Sequence, residues 1–240
     1  MLHPPFPIIS FTFDDFPHSA WSQGGAILNR YRARGTYYVA LGLMEQQIEA
    51  GEGFHQGDLR QLIDSGHELG CHTHDHFHAW ETTRLLFEQS IVRNMTKLQE
   101  LVPGAIMKTL SYPKSCPRPG NKRAAEKHFL CCRGGSLGFR DLREETKIKQ
   151  VAFNFGLRDA NSLQGFFLEQ APDSATVKTL IDENRSEGGW LILATHDVSG
   201  TPSNLGCTAQ FFEEIVRHAS KSGAKLLPVA EAWGLCRRDS

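Results

Sequence analysis

The sequence predicts an α/β protein whose parallel strands close into a barrel, with a site at their C-terminal ends. Short apolar and β-branched runs alternate with helical patterns along the whole chain, the pattern of parallel strands joined by helices. The turn after the first strand, Asp14-Asp15-Phe16-Pro17, has no glycine to admit a phosphate, which argues against an open doubly wound sheet. Asp14-Asp15, His72, His76, Pro113, Arg133 and His196 all fall at the C-terminal ends of predicted strands, where a closed barrel builds its site. No internal repeat, linker or low-complexity stretch interrupts the pattern, so residues 1–240 read as a single domain.

Taken in order, residues 7–13 are apolar, β-branched and aromatic, and predict a buried strand. Ser19 is the expected cap of a helix reaching to about residue 34, and Gly35 closes it. A second strand covers 36–41. After a glycine-rich connection over 43–57, Asp58 is expected to cap a short helix over 59–65, which Gly66 stops. A brief strand over 68–71 delivers a histidine-rich run. The helix over 82–101 carries Phe87, Ile91, Met95 and Leu98 on one core-facing side. A strand over 105–110 stops at Ser111-Tyr112-Pro113, and a proline-rich turn and short helix lead to a strand over 129–132 that ends at Arg133. Further strands are expected over 147–153, 190–195 and 225–229, with helices over 175–187 and 209–222 and a helical tail. The 190–195 strand is strongly apolar and ends at His196.

Composition narrows the function classes. A hydrophobic content of 40% and a charged content of 22% suit a globular chain, and 240 residues suffice for a large core. A formal charge of −1 argues against general affinity for nucleic acid or anionic membranes. The first residues lack the basic start, apolar segment and cleavage site of a signal peptide, and no apolar run approaches the about 18 residues of a membrane helix. A soluble, cytoplasmic protein is therefore expected. Cys71, Cys116, Cys131, Cys132, Cys207 and Cys236 include no Cys-x-x-Cys pair and are expected as reduced thiols. Cys131 and Cys132 should lie buried on opposite sides of a strand.

The chemistry gathers in residues 66–78, which hold five of the eleven histidines, at 67, 72, 74, 76 and 78. Imidazole is the commonest protein metal ligand. Two imidazoles and one carboxylate leave positions open for water and substrate, as a catalytic metal centre requires, and the candidates are Asp15, His72 and His76. Zn²⁺ is the expected metal for hydrolysis, with Co²⁺ or Mn²⁺ as alternatives. Two adjacent carboxylates at a strand end point in different directions, so one can ligate while its neighbour takes a proton. His74 and His78 flank the ligands, and His67 closes the preceding helix; His55, His128 and His218 carry no signal.

These residues resemble the polysaccharide deacetylases, carbohydrate esterase family 4 with its NodB-like domain. Ser10-Phe-Thr-Phe-Asp-Asp-Phe16 resembles the first family signature and Gly66-His-Glu-Leu-Gly-Cys-His-Thr-His-Asp-His76 the second. Trp190-Leu-Ile-Leu-Ala-Thr-His-Asp-Val198 is similar to the last, and the likeness runs from about residue 7 to 233. The resemblance implies a distorted (β/α)7 barrel and a metal-dependent hydrolase that removes an N-acetyl or similar acyl group from an amino sugar or glycan precursor. It implies Asp15, His72 and His76 as metal ligands, Asp14 as general base to the attacking water, His196 as general acid to the leaving amine, and the backbone N–H of Lys114 as oxyanion donor.

Two departures stand out. The third signature usually begins with an arginine that orients the catalytic aspartate, and here it reads Ser111-Tyr112-Pro113-Lys114-Ser115. The fourth signature's aspartate is also missing, its place taken by Cys131-Cys132-Arg133-Gly134-Gly135. Arg133 is therefore expected to supply the guanidinium from the neighbouring strand, and Asp141 and Asp159 are the candidates for the missing carboxylate. The competing readings are hydrolysis of another linear or cyclic amide of the ureide type on the same barrel, Fe(II) oxygen chemistry, and a metal-binding module with weakened catalysis. The order Asp, then His-x₃-His, on an α/β pattern speaks against Fe(II). Asp14 and His196, which a metal alone does not need, speak against a pure binding module.

Overall fold

Eight strands form one sheet among the described residues: β1 (Ile8–Phe13), β2 (Thr36–Val39), β3 (Glu68–Cys71), β4 (Thr109–Ser111), β5 (Cys131–Arg133), β6 (Phe166–Phe167), β7 (Trp190–Thr195) and β8 (Lys225–Leu226). The computed structural model describes residues 4, 6–135, 154 and 159–236. The sheet order is β5-β4-β3-β2-β1-β7-β6, every pairing is parallel, and β8 pairs with Ile8 and Ile9 at the start of β1. Residues 160–163 run beside β5, with Cys132 N–H donating to Ala160 O at 2.8 Å and Leu163 N–H to Cys132 O at 3.0 Å. The chain then enters β6 beside β7. One continuous run so bridges the two edges of the sheet, giving the distorted (β/α)7 barrel.

Alternation along each strand decides what faces the barrel axis. On β1, Ile9, Phe11 and Phe13 face the helical layer, where Phe11 and Phe13 pack on Phe212 at ring distances of 5.7 and 5.6 Å. Phe212 belongs to a helix, Ala209–Lys221, whose start is capped by Thr208 accepting from Phe211 N–H. Fully burying each such ring is worth roughly 1.5–3 kcal/mol. The opposite face of β1 presents Ile8, Ser10 and Thr12, and Asp14 continues that parity one step beyond the strand. Ser10 Oγ accepts from Trp190 Nε1 at 3.0 Å and donates to Leu227 O at 2.7 Å. The barrel axis thus mixes polar side chains with a smaller apolar cluster of Ile8, Trp190, Ile192 and Cys131. Its floor is Glu68, which accepts from Thr36 Oγ1, Thr109 Oγ1 and the Ala230 N–H at the start of the helix Val229–Cys236.

Several elements differ from expectation. The helix expected from Ser19 is a π-helical turn over Ala20–Gly25 followed by α1 (Ala26–Arg30). Ser19 is itself helical, at φ −65° and ψ −25°, so its side chain cannot adopt the extended geometry of a capping residue and makes no cap bond. The next helix, α2 (Gln56–Asp64), starts three residues earlier than predicted, with His55 as N-cap and Asp58 inside, reaching back to accept from His55 N–H at 2.8 Å. Strand β4 covers Thr109–Ser111, later than expected, and Ile106 is exposed. Strand β6 went unseen because two phenylalanines give no periodicity to read. The predicted strand over 147–153 and the candidate Asp141 lie outside the described residues. Helix α3 (Arg84–Leu101) buries Phe87, Ile91 and Leu98 as expected, and Met95 packs against the same core. Cys132 joins the core under the helices and Cys131 the smaller cluster around Trp190 and Trp233. No described helix is long and apolar enough to cross a membrane.

His67 locks the junction between α1 and β2. Its Nδ1 accepts from Gly35 N–H at 2.9 Å, and its Nε2 lies 3.1 Å from Asn29 Oδ1. Burial, aided by the Arg34 charge, pulls this imidazole down to about 4. Between that value and the ordinary 6.5 the unfolded chain binds a proton that the folded one refuses, so stability rises with pH across this window. Urea unfolding of the metal-free protein should therefore show a loss of up to about 3 kcal/mol between pH 6.5 and 4, much reduced in His67→Gln. An unchanged slope in the variant would exclude His67 as the source.

Candidate active site

The polar parity of the barrel axis surfaces at the C-terminal ends of the strands. Asp14, Asp15, His72, His76, Lys114 and His196 line one cavity of about 190 Å³, joined by Phe167 and Glu169. Six of the non-glycine residues with left-handed backbone lie in the loops around it: Asp15 (φ 60°), Phe16 (53°), Thr73 (58°), His76 (50°), Lys114 (59°) and Ser115 (68°). Each costs on the order of 1–3 kcal/mol and persists only where packing imposes it. Strain is concentrated where ligand-bearing loops leave the strands.

Asp15, His72 and His76 converge. Asp15 Oδ1 lies 2.9 Å from His76 Nε2 and 3.4 Å from His72 Nε2, yet it is buried without a well-formed hydrogen bond. His72 Nδ1 lies 2.8 Å from Ser111 O, which leaves Nε2 facing the carboxylate. Burial works to raise the Asp15 carboxyl, but the two imidazoles outweigh it and hold Asp15 well below the usual range. An ionised carboxylate and two imidazole nitrogens directed at one point, with the oxygen lacking a partner, fit a divalent cation of zinc type.

Asp14, the neighbouring carboxylate, turns inward. Arg133 Nη2 pairs with Asp14 Oδ1 and donates to Ser111 Oγ at 2.7 Å, and Ser111 Oγ lies 3.3 Å from Asp14 Oδ2. The guanidinium is only 1% exposed. It lies between Tyr38 and Phe167, with ring centroids at 5.2 and 5.4 Å, while Nη1 donates to Gly134 O at 2.9 Å. Burial pushes the Asp14 carboxyl up, but the charges of Arg133, His72 and His196 prevail and keep it below the ordinary carboxylate value. Asp14 is therefore a buried anion with one oxygen in a fixed ion pair.

His196 closes the far side. Its backbone N–H donates to Leu205 O at 3.2 Å and its Nδ1 lies 3.1 Å from the same oxygen, so Nε2 is the nitrogen left for the cavity. The ring stacks on Phe167 at 6.0 Å. The loop that supplies Leu205 is tied by Asp197, which accepts from Ser203 N–H and Oγ. A Cβ at Gly206 would lie 2.2 Å from Asp197 Oδ1, so only glycine fits there. The Lys114 N–H has no acceptor among the described residues, whereas the next amide, Ser115 N–H, donates to Tyr112 O.

Some residues stand elsewhere, and others went unread. Asp159 pairs with Lys122 and caps Asn161 N–H away from the cavity, so it does not replace the missing carboxylate. His74 and His78 are engaged outside the cavity: His74 Nδ1 lies 3.1 Å from the Asp75 carboxylate, and His78 Nδ1 accepts from Trp80 N–H. Glu169, in the turn after β6, is the carboxyl that sequence reasoning missed, since no motif surrounds it. Burial first, then the charges of Asp14 and Asp197, pushes Glu169 up to about 8, and its Oε2 has no hydrogen-bond partner. Without a cation in the cavity, its surroundings favour the protonated acid. Burial likewise pushes the Cys71, Cys132 and Cys207 thiols up to about 12, which rules them out as thiolate nucleophiles.

Removing Arg133 leaves a buried carboxylate without its counter-charge. Arg133→Met should lower stability by about 3–5 kcal/mol in urea unfolding at pH 7. Arg133→Lys should recover only part of it, because an ammonium cannot span Asp14, Ser111 and Gly134 O together. Full recovery by lysine would refute the fork as the source of the effect.

The comparisons agree with the fold. Solved structures share the fold at low identity. The Xyl-CE4 domain of a multidomain xylanase from the hindgut metagenome of Trinervitermes trinervoides is 16% identical, covering 95% of this chain and 90% of that one, at a TM-score of 0.61. A family 4 acetyl xylan esterase from Clostridium thermocellum, in complex with a cobalt ion, is 16% identical over 95% and 91%, at 0.63. The peptidoglycan deacetylase PdaC from Bacillus subtilis is 16% identical over 98% and 94%, at 0.61. No curated protein sequence matches the chain. The family model for polysaccharide deacetylase matches residues 3–128, just over half of the chain, and includes Asp14, Asp15, His72 and His76. The chain belongs to the polysaccharide deacetylase family.

Proposed function

We propose that this protein is a metal-dependent deacetylase that hydrolyses the acetamido group of an amino sugar or glycan precursor. The observation that carries this reading is the convergence of Asp14, the Asp15/His72/His76 set and His196 on one cavity. At about 190 Å³ the cavity is smaller than the roughly 300 Å³ at which pockets begin to enclose drug-sized ligands. It suits the reacting acetyl end, with the remainder of the substrate left outside. The structural relatives include an acetyl xylan esterase and a peptidoglycan deacetylase, which supports an acetylated carbohydrate as the substrate class.

Asp15, His72 and His76 would hold the divalent cation, Zn²⁺ by donor chemistry, with Co²⁺ or Mn²⁺ as alternatives. When bound, such a cation supplies Lewis-acid polarisation of the carbonyl and acidifies water to near neutral pH. Asp14 accepts the proton of the attacking water, Arg133 fixing its orientation and keeping it ionised. His196, with Nδ1–H held by Leu205 O and a second proton on Nε2, delivers the Nε2 proton to the departing amine. The Lys114 N–H holds the carbonyl oxygen as negative charge develops on it. Acetate and a free amine leave, and no covalent intermediate on the protein is required.

The test is acetate release from chitooligosaccharides, peptidoglycan fragments and acetylated xylan with added Zn²⁺, Co²⁺ or Mn²⁺. Activity on none of them sinks the reading. Asp14→Asn should keep the metal and lose activity, whereas His76→Ala should lose both; an active Asp14→Asn would overturn the base assignment. Arg133→Ala should lower kcat/KM well beyond threefold and move the acidic limb of its pH profile upward, because the charge that depresses Asp14 is gone. A profile that stays in place, with kcat/KM within threefold, rejects the role given to Arg133.

A further inference from the structure

A second group of metal-type ligands lies outside the cavity. His18, three residues past Asp15, meets His55 and Asp58 at the start of α2. His18 Nδ1 is 2.8 Å from Asp58 Oδ2, the two Nδ1 atoms are 3.4 Å apart, and His55 Nδ1 is 3.5 Å from Asp58 Oδ2. The Asp15 carboxylate stands 2.9 and 3.4 Å from its two imidazoles. Donor atoms about 2.1 Å from a tetrahedral zinc lie roughly 3.4 Å from each other, so both clusters sit near coordination spacing.

The surrounding structure holds these donors in place. Asp58 is buried, and the oxygen that faces the histidines is also fixed by His55 N–H at 2.8 Å. Close by in the chain, Phe16 and Phe54 stack at 4.9 Å with rings 7° apart, and both are fully buried. Phe54 N–H donates to Phe16 O at 3.2 Å, and Pro17 and Gly53 form an antiparallel bridge. The two segments that carry His18 and His55 are thereby locked in register. His55 Nε2 lies 3.2 Å from Glu52 Oε1, and a carboxylate on that far nitrogen keeps the N–H there and turns the Nδ1 lone pair toward the cluster. Asp58 Oδ2 and His55 Nδ1 are then both acceptors, and the only proton available between the three atoms is that on His18 Nδ1.

We infer that His18, His55 and Asp58 form a second divalent-cation site of zinc type, which clasps the loop leaving Asp15 to the start of α2. The cation takes the place of the His18 Nδ1 proton, which is released to solvent, and gains two imidazole nitrogens and one carboxylate oxygen. His18 also lines a shallow depression with Glu49, Glu52, Asp197, Ser199 and Ser203, whose acidic side chains favour a cation nearby. The site is independent of the reaction proposed above and is read by stoichiometry rather than turnover.

The test titrates chelator-treated protein with Zn²⁺ by calorimetry and with Co²⁺ by its visible absorption. The full chain should take up two equivalents and the variant Asp15→Asn/His76→Ala one, with a higher melting temperature on adding Zn²⁺. His55→Asn keeps a favourable N-cap residue while removing the imidazole. Introduced into Asp15→Asn/His76→Ala it should abolish the remaining equivalent or weaken it at least tenfold, and in the otherwise natural chain it should lower the uptake from two to one. His18→Gln should act likewise. Uptake of a single equivalent that Asp15→Asn/His76→Ala abolishes, or uptake unchanged by both His55→Asn and His18→Gln, overturns the second site, whereas a single equivalent retained by Asp15→Asn/His76→Ala counts against the Asp15/His72/His76 site instead.

Discussion

The upper half of the barrel depends on one buried charge. A guanidinium 1% exposed to water is tolerable only where most of its lost hydration is replaced, and Arg133 achieves this through Asp14, Ser111 Oγ, Gly134 O and two aromatic faces, with Nε alone left without a hydrogen-bond partner among the described residues. These partners come from β2, β4 and β6 and from the residues that follow β1 and β5, so the pair is also a cross-brace over the mouth of the sheet. It sets the direction of Asp14, and with it the division of labour between two adjacent carboxylates. Asp14 is held by a cation from the protein, whereas Asp15 lacks a hydrogen-bond partner for its inner oxygen and is open to a metal.

Much of this was legible in the sequence, because strand ends and parity are both linear properties. Once 8–13 reads as a strand, Ser10, Thr12 and Asp14 must share a face, and Trp190, Ile192, Ala194 and His196 do the same on β7. Histidine four residues after histidine placed His72 and His76 together. Arg133 required a different inference, from a missing arginine on one strand to a present one on the next, and it is found on Asp14 across 119 positions of sequence. That is the distance at which motif reading fails and sheet order takes over.

What was not legible has physical reasons. Glu169 follows a two-residue strand, and its place in the cavity follows from the 160–167 run bridging β5 and β7, a closure that no local pattern encodes. Asp58 looked like a helix cap because it precedes the apolar positions of α2, but the helix begins one turn earlier. The carboxylate reaches back to His55 and meets His18. Histidines at 18 and 55 lie too far apart in the chain to be read as a pair. The Phe16–Phe54 stack and the Pro17–Gly53 bridge make neighbours of the two segments.

The double bond-acceptor role of Leu205 O has a kinetic consequence. A neutral histidine in water exchanges its proton freely between two nitrogens, and a single carbonyl here removes that choice for His196. The carbonyl belongs to a loop whose shape is kept by Asp197, Ser203 and the absent side chain of Gly206. In the function proposed above, displacement of that loop would free His196 Nδ1 before it disturbed Asp15, His72 or His76, so the order of the 197–206 segment and proton delivery from Nε2 would be one variable.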